Sequence, residues 1–396
     1  MNSFRRNVAL LAICQALMMS GTSLIITTAA LVGFELAENR SWATLPLAAQ
    51  FIATMFTTIP AALLMERIGR KQGFMLASIF GISGGIFATL GILQGKFWLF
   101  TLGTLQVGIF NGFGNYYRFA AADAVDKEYK SRAVSYIMAG GVVAAFVGPN
   151  LANVTRDLIK TAPFAASFFV LVGIYIMSLI VQVFLKLPPK PTIEDVSGES
   201  TGRPLKVIAA QPMFIVALTC GMLGYGVMAL AMTATPLAMH HFAYPFSRTS
   251  FVVQWHVLGM FAPAFFTGHL IKRYGVFNIM LAGGIFGVAC VAVNLTGSSV
   301  AHFWTALLLL GISWNFLFIG ATTLLTETYR PEERAKTQAL NDFIVFTTVA
   351  LSSLSAGALQ NSYGWQAVNL GLIPLLIVIL ASIIWGKSRR YPKTVS

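Results

Sequence analysis

Charge is scarce in this sequence, and acid is the scarcer sign. Asp and Glu number 14 in 396 residues against 27 Lys and Arg, with 10% charged and 56% hydrophobic residues overall. A soluble domain of this length and composition would precipitate, so lipid is the expected solvent. Cysteine is nearly missing: Cys14, Cys220 and Cys290 lie in separate apolar runs without paired spacing. That excludes a disulfide framework and a cysteine metal site and leaves them as packing residues. There is no His-Glu-x-x-His cluster and no nucleophile with a base on the next turn, which excludes an intramembrane hydrolase or acyltransferase. The absence of a Gly-x-x-x-x-Gly-Lys-Ser/Thr loop excludes ATP-driven pumping by this polypeptide. No cofactor and no metal are expected. Before Glu35 there is no small-residue cleavage site, and the first apolar run far exceeds a signal-peptide core, so it reads as a retained span.

What the sequence has in abundance is apolar length. A helix crossing about 30 Å of hydrocarbon needs roughly 20 apolar residues. Such runs can be drawn about twelve times, starting near Val8, Ala43, Gly73, Phe97, Ala133, Pro163, Val207, Thr249, Val276, Phe303, Thr337 and Trp365. The basic residues collect in alternate gaps. With an inside start, 21 fall inside, five (Arg40, Lys96, Arg156, Lys160 and Arg248) fall outside, and Arg118 lies within a span. This is the positive-inside pattern, and it predicts an inner-membrane protein with both termini in the cytoplasm. The net charge of +13 is dispersed over short inner segments. It suits anionic headgroups of the lipid bilayer and is too scattered for a nucleic-acid groove.

Residues 187–206, LPPKPTIEDVSGESTGRPLK, break the pattern with four prolines, two glycines and mixed charges. They read as a cytoplasmic linker between an N-terminal bundle, 1–186, and a C-terminal bundle, 207–396, each of six spans. The halves repeat. Arg67 and Gly69 between spans two and three match Arg273 and Gly275 between spans eight and nine at an offset of 206. Asn111 and Asp123 match Asn315 and Glu327 at 204, and Arg132 matches Arg334 at 202. A nearly constant offset at equivalent places in the span order argues for duplication.

Here the sequence resembles the major facilitator superfamily over essentially its whole length. The strongest local match is that family's Gly-x-Leu-Ala-Asp-Arg-x-Gly-Arg-Lys loop. It stands here with Ala62 for the first Gly, Leu64 retained, Glu66 for Asp, and Arg67, Gly69, Arg70 and Lys71 intact. The resemblance implies an all-α membrane protein, with twelve transmembrane helices in two pseudo-symmetric six-helix bundles. It also implies a conformational latch in which Glu66 approaches the positive N-terminus of span eleven and Arg70 pairs with Asp123, holding an outward-open state. Arg132, Arg273, Gly275, Glu327 and Arg334 would be its echo in the duplication. The alternative is that these are only positive-inside charges at a short turn. In span five, residues 144–153 (AAFVGPNLAN) partly resemble an antiporter pattern, with Gly148 and Pro149 kept as a helix kink. Thr104 stands where the drug-exporter branch carries Arg.

Polar groups inside the bilayer are costly and mark the path. By the resemblance, spans one, four, seven and ten line it. Asn111 and Asn315 lie about 20 Å along their helices, near the midplane, and form the expected substrate-contact pair. Asn115 and Tyr116 follow one turn on, and Gln15 and Tyr225 occupy the other two cavity spans. Each amide has the alternative of merely joining two helices. Arg118 either faces the cavity, favouring an anionic substrate or a carboxylate partner, or snorkels to the inner interface. Asp342 is an acid within span eleven, expected to carry a coupling proton or else to pair with Lys336. His256, beside Trp255, is a second proton-coupling candidate or a packed histidine.

The resulting expectation is a monomeric secondary active transporter of a small-molecule substrate working by alternating access, with the proton as coupling ion. Proton-coupled export, as an antiporter, of a small organic molecule is the first reading. Import of a metabolite or metal-chelate is the alternative, and a non-transporting receptor or assembly factor on the same scaffold is the second.

Overall fold

Long uninterrupted apolar segments satisfy their own backbone hydrogen bonds only as helices in hydrocarbon, and helices are what form. The structure, a computed structural model, describes residues 3–125, 130–187 and 202–390. No strand occurs among the described residues. In the N-terminal half the helices are α1 (Ser3–Leu36), α2 (Leu45–Ile68), α3 (Arg70–Leu93), α4 (Phe97–Gly114), α5 (Tyr117–Asp123), α6 (Lys130–Thr155) and α7 (Ala165–Val183). A short α8 (Leu205–Ala209) precedes α9 (Pro212–His241), α10 (Phe246–Phe261), α11 (Ala264–Tyr274), α12 (Val276–Thr296), α13 (Val300–Thr326) and α14 (Arg334–Arg390).

Nine of the described helices are long and apolar enough to cross a bilayer, and α10 with α11 make a tenth span bent by 44°. The break falls at Pro263, which lacks an N–H to donate. The fourth span is α4 continued by α5; four glycines, Gln106 and Asn111 dilute its hydropathy. The twelfth comes from α14, which folds back at Gly364 (φ 78°, ψ 179°). Side-chain pairs prove the reversal. Asn294, at the end of α12, donates to Asn369 at 2.8 Å, and Lys387 donates to Asn278, at the start of α12, at 2.8 Å. Gly69 (φ 91°, ψ 149°) and Gly275 (φ 85°, ψ 149°) make the corresponding turns after spans two and eight. All three conformations belong essentially to glycine, because a Cβ would strain them.

Two cores result. One gathers α1 to α7 around Leu11, Phe74, Phe110, Phe168 and Tyr175; the other gathers α9 to α14 around Phe214, Cys220, Met280, Leu310 and Leu372. Each core pairs some of its buried polar groups: Gln182 accepts from Ser78 at 3.0 Å and donates to Tyr117 at 2.9 Å, and Asn294 donates to Asn369 at 2.8 Å.

Contacts between the halves concentrate toward one end. Call that the far end; the other, carrying Arg67, Arg70, Lys71, Lys272, Arg273 and Lys387, is the basic end. At the far end Thr44 donates to Leu354 at 3.1 Å and accepts from the Gly357 N–H at 3.2 Å. Ser250 donates to the Pro149 carbonyl at 2.6 Å. Phe164 meets Phe246 edge-on at 4.9 Å, with Arg156 over both rings. At the basic end no hydrogen bond or ion pair joins the halves among the described residues; its ion pairs are Arg70–Asp123 in one half and Arg203–Glu333 and Arg390–Glu327 in the other. The cleft between the halves therefore opens at the basic end.

Of residues 187–206, the stretch 188–201 lies outside the described residues, but the end of that segment is clamped to the C-terminal half. Glu333, wholly buried, accepts from the Arg203 backbone N–H at 2.7 Å, from Arg203 Nε at 2.9 Å and Nη2 at 2.7 Å, and from the Arg330 N–H at 2.9 Å. Lys336 donates to the Arg203 carbonyl at 2.7 Å. These donors, Arg203 first, hold the Glu333 carboxyl well below the usual carboxylate range. A depressed native pKa contributes stability that is complete above the unfolded value, about 4.3, and drains away as pH falls below it. Glu333→Gln is expected to melt at a lower temperature than wild type at pH 7. It should also show a flatter fall of melting temperature between about pH 5 and pH 3.

Candidate functional site

The floor of the cleft is set by α1. Met19 and Ile26 pack against both cores, and Thr22 shares their face at helical spacing. Asn111 reaches this seam: its Nδ2 donates to Thr22 Oγ1 at 3.1 Å, while its Oδ1 is buried without a partner. Asn115, which caps the end of α4, and Tyr116 are half-buried one turn toward the basic end, and the Tyr116 hydroxyl donates to the Thr58 carbonyl at 2.9 Å. Gln15 is buried against Gly140 of α6.

Asn315 is placed differently. Its Nδ2 donates to the Met260 carbonyl at 2.6 Å, and its Oδ1 accepts from Thr267 at 2.6 Å. Met260 lies just before the Pro263 break, where carbonyls lose their helical partners, so Asn315 staples α13 to both pieces of the bent eighth span. The duplication aligned it with Asn111 along the chain, but in space only Asn111 keeps an open polar atom at the seam. His256 is fully buried; its Nδ1 bonds the Leu307 carbonyl at 2.8 Å, and its Nε2 has no partner.

One residue before Asn315, about 100° around the helix, Trp314 faces an aromatic cluster that sequence reasoning missed apart from Tyr225. Trp314 stacks on Phe318 at 4.9 Å with planes 9° apart. Tyr225 of α9 meets Trp314 at 5.3 Å, Phe318 at 5.6 Å and Phe346 of α14 at 6.2 Å. The side chains of Tyr225, Phe318 and Phe346 are half-exposed while their rings pack on one another, so the cluster borders open space. The legible signal was the Trp-x-x-x-Phe spacing, one helical turn, on a cavity span.

Nearer the basic end lies Arg118. Its side chain is exposed, and its charge acts on that of Asp342 on the opposite half. It faces the cleft. The guanidinium rests over Phe119 at 4.8 Å. Asp342 is half-buried, accepts from Asn341 at 3.1 Å and feels Arg118 and Tyr116 across the cleft. It makes no ion pair among the described residues; Lys336, its alternative partner, is occupied by the Arg203 carbonyl.

The loop residues lie at the basic end. Arg70 pairs with Asp123 at 2.6 Å, both within the N-terminal half. Lys71 donates to the Val183 carbonyl at 2.6 Å. Glu66 and Arg67 are exposed, and no hydrogen bond or ion pair involves them among the described residues. Glu327, the counterpart of Asp123, pairs with Arg390 from the end of the twelfth span at 3.0 Å. Arg273 lies over Tyr274, and Arg334 is exposed at the start of α14. The Arg132 side chain lies outside the described residues. In α6, a Cβ at Gly148 would come within 2.7 Å of the Ser20 carbonyl, so this glycine lets spans one and five touch, and Pro149 accepts the Ser250 bond to span eight.

Two six-helix bundles around a cleft open at one end, lined by amides, aromatic rings and one opposed charge pair, define a membrane transporter. The family model of the Major Facilitator Superfamily matches residues 11–344 and 217–396, and the chain belongs to that superfamily. It is 40% identical over 380 residues to the riboflavin transporter RfnT of Brucella anthropi, covering 96% of this chain and 95% of that one. It is 26% identical to the uncharacterised transporter YdeG of Bacillus subtilis, over 98% of this chain and 93% of that one. Among solved structures, a variant of the nucleoside transporter NupG superposes with a TM-score of 0.75 over 96% of this chain and 99% of its own, at 14% identity. A second NupG structure gives 0.68 over 98% and 99%, also at 14%. The NupG likeness is one of fold.

Proposed function

We propose that this chain imports riboflavin, or a flavin of the same ring system, into the cytoplasm by proton-coupled alternating access. The observation that carries the reading is the 40% identity to a riboflavin transporter along nearly the full length of both chains. Of the two transport readings of the sequence, metabolite import is the better supported. Export leaned on Gly148 and Pro149, and their contacts with spans one and eight serve packing and imply no direction. The positive-inside pattern sets the basic end and both termini in the cytoplasm, so this conformation is open inward. Asn111, Asn115, Tyr116, Gln15 and Tyr225 are the substrate contacts of this reading; Arg118 and Asp342 are the charge pair through which proton movement couples.

The test is uptake. A riboflavin-auxotrophic bacterium lacking its own flavin importer should grow on low riboflavin when it expresses this chain, and should accumulate labelled riboflavin faster than cells with empty vector. Collapsing the proton gradient should remove the accumulation. Neither growth nor uptake, with the protein present in the membrane fraction, would overturn the proposal.

A further inference from the structure

We infer that Tyr225, Trp314, Phe318 and Phe346 form the platform that receives the substrate, and that its ligand is a planar, uncharged nitrogen heterocycle carrying both donor and acceptor edges. The assignment rests on the flavin-import reading for the identity of the ring, and on the geometry for its place.

Four observations converge. The rings come from three different spans and meet at one depth: Tyr225 and Phe346 lie about 20 Å from the basic end of their helices, and Trp314 about 21 Å from the far end of α13. Three of the four are half-exposed although their rings pack on one another. A face left open beside a stacked Trp314–Phe318 pair presents the geometry in which a further flat ring gains offset or edge contact. Polar atoms without partners occur on both sides of the cleft: Trp314 Nε1, a donor, belongs to the cluster, and Asn111 Oδ1, an acceptor, lies at the α1–α4 seam of the other half. The Tyr225 hydroxyl has no partner among the described residues. Leaving such atoms unpaired in a low-dielectric interior is costly, and a heterocycle with an amide-like edge satisfies both kinds. The nearest formal charge to the rings is Asp342, one helical turn from Phe346 on α14. Arg118 on the other half opposes that charge, so the pair leaves the platform without net charge, which suits a neutral ring.

The test uses purified full-length protein in lipid nanodiscs, titrated with riboflavin, whose ring fluorescence is quenched by stacking on aromatic side chains. Lumichrome, the ring without the sugar-alcohol chain, should compete; ribitol, the chain without the ring, should not. Phe318→Ala and Trp314→Ala should each raise Kd by about tenfold. Trp314→Phe should retain most of the quenching, and Tyr225→Phe should weaken binding less than either alanine change. Melting curves matching wild type show that the variants fold. If riboflavin binds wild type while lumichrome fails to compete and the alanine variants bind unchanged, the platform is overturned and the import reading stands. If riboflavin does not bind but lumichrome does, with loss in Phe318→Ala, the flavin reading fails and the platform stands.

Discussion

Asp342→Asn is expected to abolish accumulation of substrate driven by a pH gradient while leaving exchange of substrate for substrate largely intact. The acid lies about 12 Å from the basic end of its helix, on the half opposite Arg118, whose charge acts on it. Its surroundings are named and few: Asn341 donates to it, and Arg118 and Tyr116 act on it across the cleft. Arg118 is not in direct contact in this state, because the two halves are apart at the basic end. Rocking that closes this end brings the guanidinium toward the carboxylate and favours its ionised form; opening it withdraws the cation and favours the protonated form. On the proton-coupled reading, such a group takes up and releases a proton as the conformation changes. Asn keeps the shape and cannot titrate. Proteoliposomes separate the possibilities: imposed pH gradients should drive accumulation by wild type and not by the variant, and counterflow without a gradient should proceed in both. Normal accumulation with an unaltered pH profile would remove Asp342 from coupling, and a fall in folded yield alone would make it structural. His256, whose Nε2 is buried without a partner, is then the next position to test.

The sequence located the helices well and their rotations poorly, for one physical reason. Phe97 and Val276 start both a predicted run and an observed helix, and Trp365 directly follows the Gly364 reversal. Length and hydropathy suffice for that. In water the polar face of a helix reveals which side looks inward; in lipid the outer face is as apolar as the core, so the rotation of α13 was not legible. Linear alignment of the duplication therefore paired Asn111 with Asn315, although one residue of rotation separates the stapled amide from the cleft-facing Trp314. Proline at 263 was visible, but its consequence, a freed carbonyl that consumes Asn315, depended on which helix lay alongside. The aromatic platform is spread over residues 225 to 346 on three spans, and nothing in the chain shows that these spans meet. Charges were more informative, because a lone base and a lone acid at matching depth have few solutions. Even so, their placement on opposite halves needed the fold.

A disulfide across the far end is expected to stop transport completely and reversibly. Thr44, beside the start of α2, and Gly357, in the eleventh span, belong to different halves and touch where the cleft is closed. A Cβ built on Gly357 falls 2.8 Å from Thr44 Oγ1 and 3.1 Å from its Cγ2. The two Cβ atoms thus approach the roughly 3.5–4.5 Å that a disulfide spans. Gly357 lies within α14 and has no positive φ, so cysteine is tolerated there. The tightest neighbour is the threonine side chain that the partner substitution replaces, and the Ser41 carbonyl follows at 3.2 Å. The native Cys14, Cys220 and Cys290 are buried and do not compete. Alternating access requires the far end to part as the basic end closes, so the oxidised Thr44→Cys, Gly357→Cys protein cannot complete a cycle. Uptake should fall to the empty-vector level on oxidation and return on reduction, while each single variant remains active. Substrate applied from the basic end should still bind the oxidised form, because the lock holds the conformation in which the cleft is open there. Unchanged uptake by fully cross-linked protein would mean that the Thr44–Gly357 contact rides through the cycle intact, and the opening motion would have to be sought along the α6–α10 seam, where Ser250 holds the Pro149 carbonyl.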